Sequence, residues 1–457
     1  MRTRFSHVVA VALLAALVVT GSGVMHAAVR PPKLQYETFK LPNGLTVILS
    51  EDHSTPIVHV QLTYHVGSKN EKAGRTGFAH LFEHMMFKGS KNVEPEMHTS
   101  TVASIGGQSN AYTTDDETVF WQSAPAQFLP LVLWLESDRM ATLRIDQATF
   151  QNEREVVKEE RRMRVDNQPY GRLTEIIYEN AFTTHPYKHP TIGSMRDLEA
   201  ASIEDVRDFY STFYVPANCT VTIVGDFEPA QARQLVDQYL ARVPGSDRPV
   251  PRDIPVEPPQ TKERRIALET PWPLPAVVVA HHITYDGHPD SYPLHIASKV
   301  LSDGQSSRIY QALVYEKQMA VAAFGGANLV EHPNLFYAVA IVQPGQSPDD
   351  AIAALIAELE RLKSEPISPR DLQRTKNQFA RDYILGRESN QQKALQLAHA
   401  SVMHGDVTKA DGEFEIFQNI TAADVQRVAR TYFTADNRTV LTLMPASRPG
   451  PGGRVNR

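Results

Sequence analysis

Two histidines four residues apart, His80 and His84, enclose Glu83 in the stretch HLFEH. On a helix, residues four apart stack on one face, so both imidazoles would point to one place. Glu83 is three residues from His80 and offset around the helix. It could reach a water beside a metal without having to bind the metal. Hydrolysis by zinc needs that division: ligands that hold the ion, and a separate carboxylate that takes a proton from water. Alone, the pattern fits two packed or solvated helix histidines as well as it fits a metal site. A catalytic zinc has three protein ligands and an open position, so a third ligand must come from elsewhere. In NEREVVKEERR, Glu153, Val156, Val157 and Glu160 fall at i, i+3, i+4 and i+7. Two acids on the valine side of a helix are hard to explain as solvated surface, whereas Glu155 and Glu159 point outward. Another histidine group, His281, His282 and His288, reads as a strand end entering a loop, because no acidic or further histidine partner can be placed beside it.

Several elements must position these residues. FKLPNGLTVILSED alternates around Asn43-Gly44 and reads as a β-hairpin. IVHVQLTYHVG and TVFWQSAP have the period of strands, and residues 74–89 the period of a helix. Residues 127–142 and 148–165 read as long helices. A stretch with Pro244, Pro249, Pro251, Pro255, Pro258 and Pro259 then divides the chain nearly in half, as an extended linker does. The halves resemble each other. Residues 202–224 align without gaps to 421–443, with Asp205 on Asp424, Thr212 on Thr431, Asn218 on Asn437 and Thr220 on Thr439. Each copy is a helix, a short turn and an apolar strand, which suggests an internal duplication.

The 457 residues, 42% apolar and 21% charged, describe a soluble globular chain of two or more domains. A formal charge of −6 without a basic stripe excludes a nucleic-acid footprint. Arg2 and Arg4 precede an apolar run from Val8 to Thr20, with Ala27 and Ala28 beyond it, the layout of a secretory signal peptide. That run is short of the roughly 20 residues a membrane span needs. The expected location is therefore exported, periplasmic or secreted, with no stable membrane span. The single Cys219 can form neither an internal disulfide nor a cysteine metal site.

H-x-x-E-H is the inverted zinc motif of the inverzincins. YHVGSKNEKAGRTGFAHLFEHMMFKGS resembles the stretch that surrounds this motif in the pitrilysin-type metallopeptidases of family M16, which include insulin-degrading enzyme and mitochondrial processing peptidase. GGQSNAYTTDDETVFW, EREVVKEERR, HPYKHPTIG, YVPANCTVTIVGDF and SDGQSSRIYQALVYEK resemble further family stretches in the same order, across about residues 36–445. The resemblance implies an α+β fold of two homologous domains, each a mainly antiparallel sheet packed with helices. Their expected bounds are 36–243 for the zinc-bearing domain, 244–262 for the linker and 263–446 for a second domain without a zinc site. Residues 1–28 would be the signal and 447–457 a disordered tail. The resemblance also implies His80, His84 and Glu160 as ligands of one Zn2+ per chain, and Glu83 as general base. Glu153 would be a second acid that supports catalysis or orients the site. Asn110 and Ala111 would lie on the strand that pairs with a peptide substrate.

One departure bears on activity. Many relatives carry in the second domain an arginine and a tyrosine seven residues apart that help bind substrate. Tyr315 and Ala322 stand at those places here. Large relatives close four such domains into a chamber, so two domains make half of one. The resemblance therefore implies the zinc-bearing member of a heterodimer whose zinc-less partner brings the Arg/Tyr pair, or a homodimer. The implied activity is a zinc metalloendopeptidase of the EC 3.4.24 type. A non-catalytic M16-like scaffold or a peptide-binding subunit is the alternative.

Overall fold

The segment IVHVQLTY alternates apolar and polar residues, a pattern that suits a strand with one solvated face. It does form a strand, but both faces are buried: Val58, Val60, Leu62 and Tyr64 on one side, His59, Gln61 and Thr63 on the other. The computed structural model describes residues 31–446 and shows why. The strands are β1 (Glu37–Lys40), β2 (Thr46–Glu51), β3 (Ile57–Tyr64), β4 (Gln108–Thr113), β5 (Thr118–Pro125), β6 (Cys219–Gly225), β7 (Arg264–Thr270), β8 (Ala276–His282), β9 (Ala320–Ala327), β10 (Leu335–Val342) and β11 (Arg438–Pro445). The helices that matter below are α1 (Phe78–Met85), α2 (Leu129–Thr142), α3 (Gln147–Arg161), α4 (Leu173–Ala181), α5 (Ile203–Phe213), α6 (Asn390–Met403) and α7 (Ala422–Tyr432). The expected signal at 1–28 and the tail at 447–457 lie outside the described residues.

The strands form two sheets, in the orders β1-β2-β6-β3-β5-β4 and β7-β11-β8-β10-β9. Beyond the hairpin strand β1, the two orders are one topology. In each, a parallel pair (β2 with β6, β7 with β11) is followed by three antiparallel pairings. The fold is thus α+β with a duplicated, mainly antiparallel sheet. The aligned segments perform the same structural tasks twice. Ser202 and Asp205 make a capping box at the start of α5, as Thr421 and Asp424 do at α7. Asn218 Nδ2 donates to the carbonyls of Phe213 and His65, and Asn437 Nδ2 to those of Tyr432 and His282. In each copy one amide ties the helix end to a neighbouring strand, which gives the two asparagines a physical reason to match.

The halves are interleaved. On one face, the first sheet packs with α1 and α5 in an apolar core. Its other face is covered by α6, which comes from the second half and packs on β3 and β6. Leu397 and Ala394 meet Ile48 and Val224 there, and Asn390 Nδ2 donates to the Ile57 carbonyl at 3.1 Å. Reciprocally, α4 of the first half packs on β8 and β11, with Ile177, Tyr178 and Phe182 against Val278 and Leu441. A helix from the other half thus replaces solvent on the polar face of β3. His59 finds a partner in Ser123 at 2.8 Å and Gln61 in Thr63 at 3.0 Å. Among the described residues, no helix is long and apolar enough to cross a membrane.

Candidate metal centre

The helix that carries His80 and His84 is short, and its start is built with care. Gly77, the N-cap, has φ of 94°, which favours glycine. The first amides of a helix have no partner inside it. Here the buried carboxylate of Glu71 accepts from the N–H groups of Gly77 and Ala79, both at 2.8 Å. Burial pushes the Glu71 pKa well up, while these amides act against it. Gly193 presses on the same turn: its φ is +77°, and a Cβ there would lie 2.5 Å from Gly77 Cα and from the Thr76 carbonyl oxygen. We expect Gly193→Ala to cost at least ~1–3 kcal/mol, because backbone must move at a position already strained for any side chain. Chemical denaturation with a parallel Zn2+ titration measures this, and both stability and affinity should fall. The apolar face of α1 is anchored by Phe82, which stacks on Phe209 and Tyr210 of α5 with ring centroids 5.7 and 5.8 Å away. That contact turns His80, Glu83 and His84 away from the core.

They face α3, which is capped by Asp146 accepting from the Thr149 amide at 2.9 Å. The buried stripe of α3 is Phe150, Glu153, Val157 and Arg161. Val156 was expected on that side, but it is 43% exposed. The stripe is centred nearer Val157, which leaves Val156 beyond its edge and Glu160 at its rim. A π-helical turn over Arg162–Asp166 follows α3, where the sequence pattern suggested helix through 165.

The structure brings three of the expected residues together. One oxygen of Glu160, Oε2, lies 3.2 Å from His84 Nε2 and 3.6 Å from His80 Nε2. One donor atom from each of these residues lies within 4.8 Å of the other two. The other oxygen of Glu160 is engaged by Arg164 at 2.6 Å, which leaves Oε2 toward the histidines. Glu153 stands behind His84. It is 1% exposed, and its Oε2, which has no hydrogen-bond partner, lies 3.8 Å from His84 Nδ1. A carboxylate on the far nitrogen of a metal-binding imidazole sets the ring's orientation and basicity. Glu153 approaches Nδ1 of His84, not the Nε2 that faces Glu160, so it is placed to orient the ring. Glu83 is held by Thr113 of β4, whose hydroxyl donates to Glu83 Oε2 at 2.7 Å; one carboxylate oxygen is engaged in that bond.

The electrostatics suit a cation. Burial, then the neighbouring His84, pulls the His80 pKa down to about 4, so the imidazole is neutral near pH 7, as a ligand must be. Burial also lowers His84, but Glu153, Glu160 and Glu83 outweigh it and leave the pKa raised. Burial raises Glu83, against the Thr113 bond and His84. Three carboxylates around two imidazoles, with a buried acceptor on the far side of one ring, form a donor set that fits zinc. Glu153→Ala should weaken Zn2+ binding about 10–100-fold, as read by competition with a chelator.

Asn110 and Ala111 lie on β4, the edge of the first sheet. The Ala111 amide is not free, since it donates to Asn110 Oδ1 at 2.9 Å. A strand adding there through this amide would have to displace that side chain. Tyr315 is 65% exposed and Ala322 is partly buried on β9. The sequence pattern gives no role to Glu71, Arg164 or Thr113. An acid six residues before a helix and a threonine on a strand carry no spacing signal that separates them from ordinary surface.

The structure thus joins duplicated sheets of one strand order to an H-x-x-E-H helix that faces a third carboxylate. Residues 46–195 match the family "Insulinase (Peptidase family M16)", and residues 200–379 match "Peptidase M16 inactive domain". The chain is 30% identical over 436 residues to zinc protease PqqE of Helicobacter pylori, covering 95% of this chain and 98% of that one. It is 23% identical over 404 residues to the β subunit of mitochondrial-processing peptidase of Saccharomyces cerevisiae, covering 85% and 86%. The crystal structure of a protease from Helicobacter pylori superposes with a TM-score of 0.86 at 30% identity, covering 90% of this chain and 100% of that one. The chain belongs to peptidase family M16, as its motifs implied.

Proposed function

We propose that the chain is a zinc-dependent endopeptidase that hydrolyses peptides or unfolded segments. The observation that carries this reading is the convergence of His80, His84 and Glu160 beside Glu83, which Thr113 holds in place. His80, His84 and Glu160 would hold the ion, and Glu153 would fix His84. Zinc, when bound, supplies Lewis acidity toward water and the scissile carbonyl. Glu83 takes a proton from water and delivers it to the leaving amine. Burial raises its pKa above the ordinary carboxylate value, which makes it a stronger base. The edge strand β4 would receive an extended peptide, which restricts substrates to segments free to add as a strand.

The second half supports a division of labour. The family's inactive-domain match runs from residue 200, in the first half, to 379, in the second, and Tyr315 and Ala322 stand where many relatives carry the Arg/Tyr pair. We read the chain as the zinc-bearing half of a chamber, completed by a zinc-less M16 partner or by a second copy. The same departure is what favours the rival reading, a peptide-binding subunit that does not turn over. The N-terminal sequence supports export to the periplasm or beyond. The test is Zn2+ binding by wild type and His84→Ala. Loss of a ligand should weaken the site by at least ~100-fold, on the scale seen when zinc-site supports are removed. If His84→Ala bound zinc as wild type does, the metal-site reading would fail.

A further inference from the structure

The loop HHITYDGHPD holds His281, His282 and His288, and the structure scatters them. His281 is buried in β8, His282 Nε2 lies 3.1 Å from the Ala181 carbonyl, and His288 Nδ1 accepts from the Asp290 amide. One of the two acids of that loop, Asp286, meets two other histidines instead. His399 Nε2 and His404 Nε2 converge on one carboxylate oxygen, Asp286 Oδ2, at 3.0 and 3.4 Å. The two rings stand at 89° with centroids 5.4 Å apart. One donor atom from each residue lies within 4.8 Å of the other two, as in the His80–His84–Glu160 set.

The surroundings look built. Asp286 donates its amide to the Val330 carbonyl at 2.7 Å, which fixes the loop. Gly287 has φ of +79°, and a Cβ there would lie 2.9 Å from His404 Cε1, so the close approach of the ring requires glycine. The side chains of Asp286 and His404 are 18% and 9% exposed, while His399 is 44% exposed and leaves a way in. Glu117 and Glu413 add negative potential at His399. A third His/carboxylate group, Glu51, His53 and Glu228, is exposed throughout, where such grouping is common without an ion.

We propose that Asp286, His399 and His404 form a second site for a divalent cation of the zinc type, separate from the His80–His84–Glu160 set. Two imidazoles and one carboxylate match the donors such ions take, with positions left for water. The ion would tie the loop after β8 to the end of α6, the helix that covers the first sheet. It would act as a staple that holds α6, which docks on the first sheet, to the body of its own half, and not as a reaction centre.

The test is equilibrium dialysis of the chelator-treated full chain against micromolar Zn2+, with bound metal counted per chain. We expect two in the wild type, one in His399→Ala/His404→Ala and one in His80→Ala/His84→Ala. Asp286→Asn keeps the shape of the side chain and should also lower the count to one, which guards against misfolding of the histidine variant. One ion in the wild type and none in His80→Ala/His84→Ala would overturn the site. An ion kept in His80→Ala/His84→Ala and lost in Asp286→Asn would support it even if the peptidase reading failed.

Discussion

Replacing Glu83 by glutamine should lower kcat/KM on an unfolded polypeptide by about 10²–10⁴-fold, the range a positioned general base contributes. Glutamine has nearly the same shape, and its side-chain oxygen can still accept from Thr113. It cannot take a proton. Zn2+ affinity should stay within a few-fold of wild type, since the donor cluster is His80, His84 and Glu160. The informative result is the split between the two readouts. Equal loss of metal and activity would mean that Glu83 supports the site rather than acting as base. Full activity without a carboxylate at 83 would remove the mechanism altogether.

The largest stability effect is expected at Lys69. Its side chain is 2% exposed, and its ammonium donates to Asp116 at 2.8 Å and to Glu331. His65 Nε2 sits 2.7 Å from the same Glu331 oxygen, and the Tyr187 hydroxyl donates to Asp116 at 2.6 Å. Glu331 comes from the second half, so this network joins the two. Lys69→Met leaves the buried Asp116 carboxylate without this cation and the partly exposed Glu331 beside His65, and removing one partner of a buried pair costs about 3–5 kcal/mol. The pH dependence gives the sign. Burial raises the Glu331 pKa, but the bond to His65 and the charge of Lys69 prevail and hold it at about 2, below the ordinary 4.5. A depressed carboxylate stabilises the fold above its unfolded pKa, and that stability is lost as pH falls through the folded pKa. The gap between wild type and Lys69→Met, read from urea unfolding, should be full at pH 7 and shrink between about pH 4.5 and 2. A gap that ignored pH would show that packing, not charge, dominates at this position.

What could be read in advance had local or repeated signals. The H-x-x-E-H pair, the Asn43-Gly44 hairpin and the duplicated helix-turn-strand at 202–224 and 421–443 all depend on spacing within a few residues or on a second copy. Glu160 was accessible because its helix pairs acids with a valine face. Val156 went wrong for a related reason: period alone does not say where a stripe is centred, and Glu153 and Arg161 draw it toward Val157. The remainder depends on contacts far apart in sequence. Nothing in IVHVQLTY announces that α6, more than 300 residues later, will bury its polar face. Asp286 gives no sign that His399 and His404 will approach it from the end of that same helix. Glu71 looks like a surface acid until Gly77 turns the start of α1 onto it.

Zinc-dependent peptide hydrolysis is read out by following cleavage of an unfolded protein by the full chain in three states: as Zn2+ protein, after chelation and dialysis, and after Zn2+ is restored. The assay is run alone and with an equimolar zinc-less M16 chain that carries the Arg/Tyr pair. Cleavage is expected in the first state, its loss in the second and its return in the third, with Glu83→Gln strongly impaired throughout. Cleavage that persists after chelation, or that is absent in every state with and without the partner chain, would contradict zinc-dependent hydrolysis by this chain.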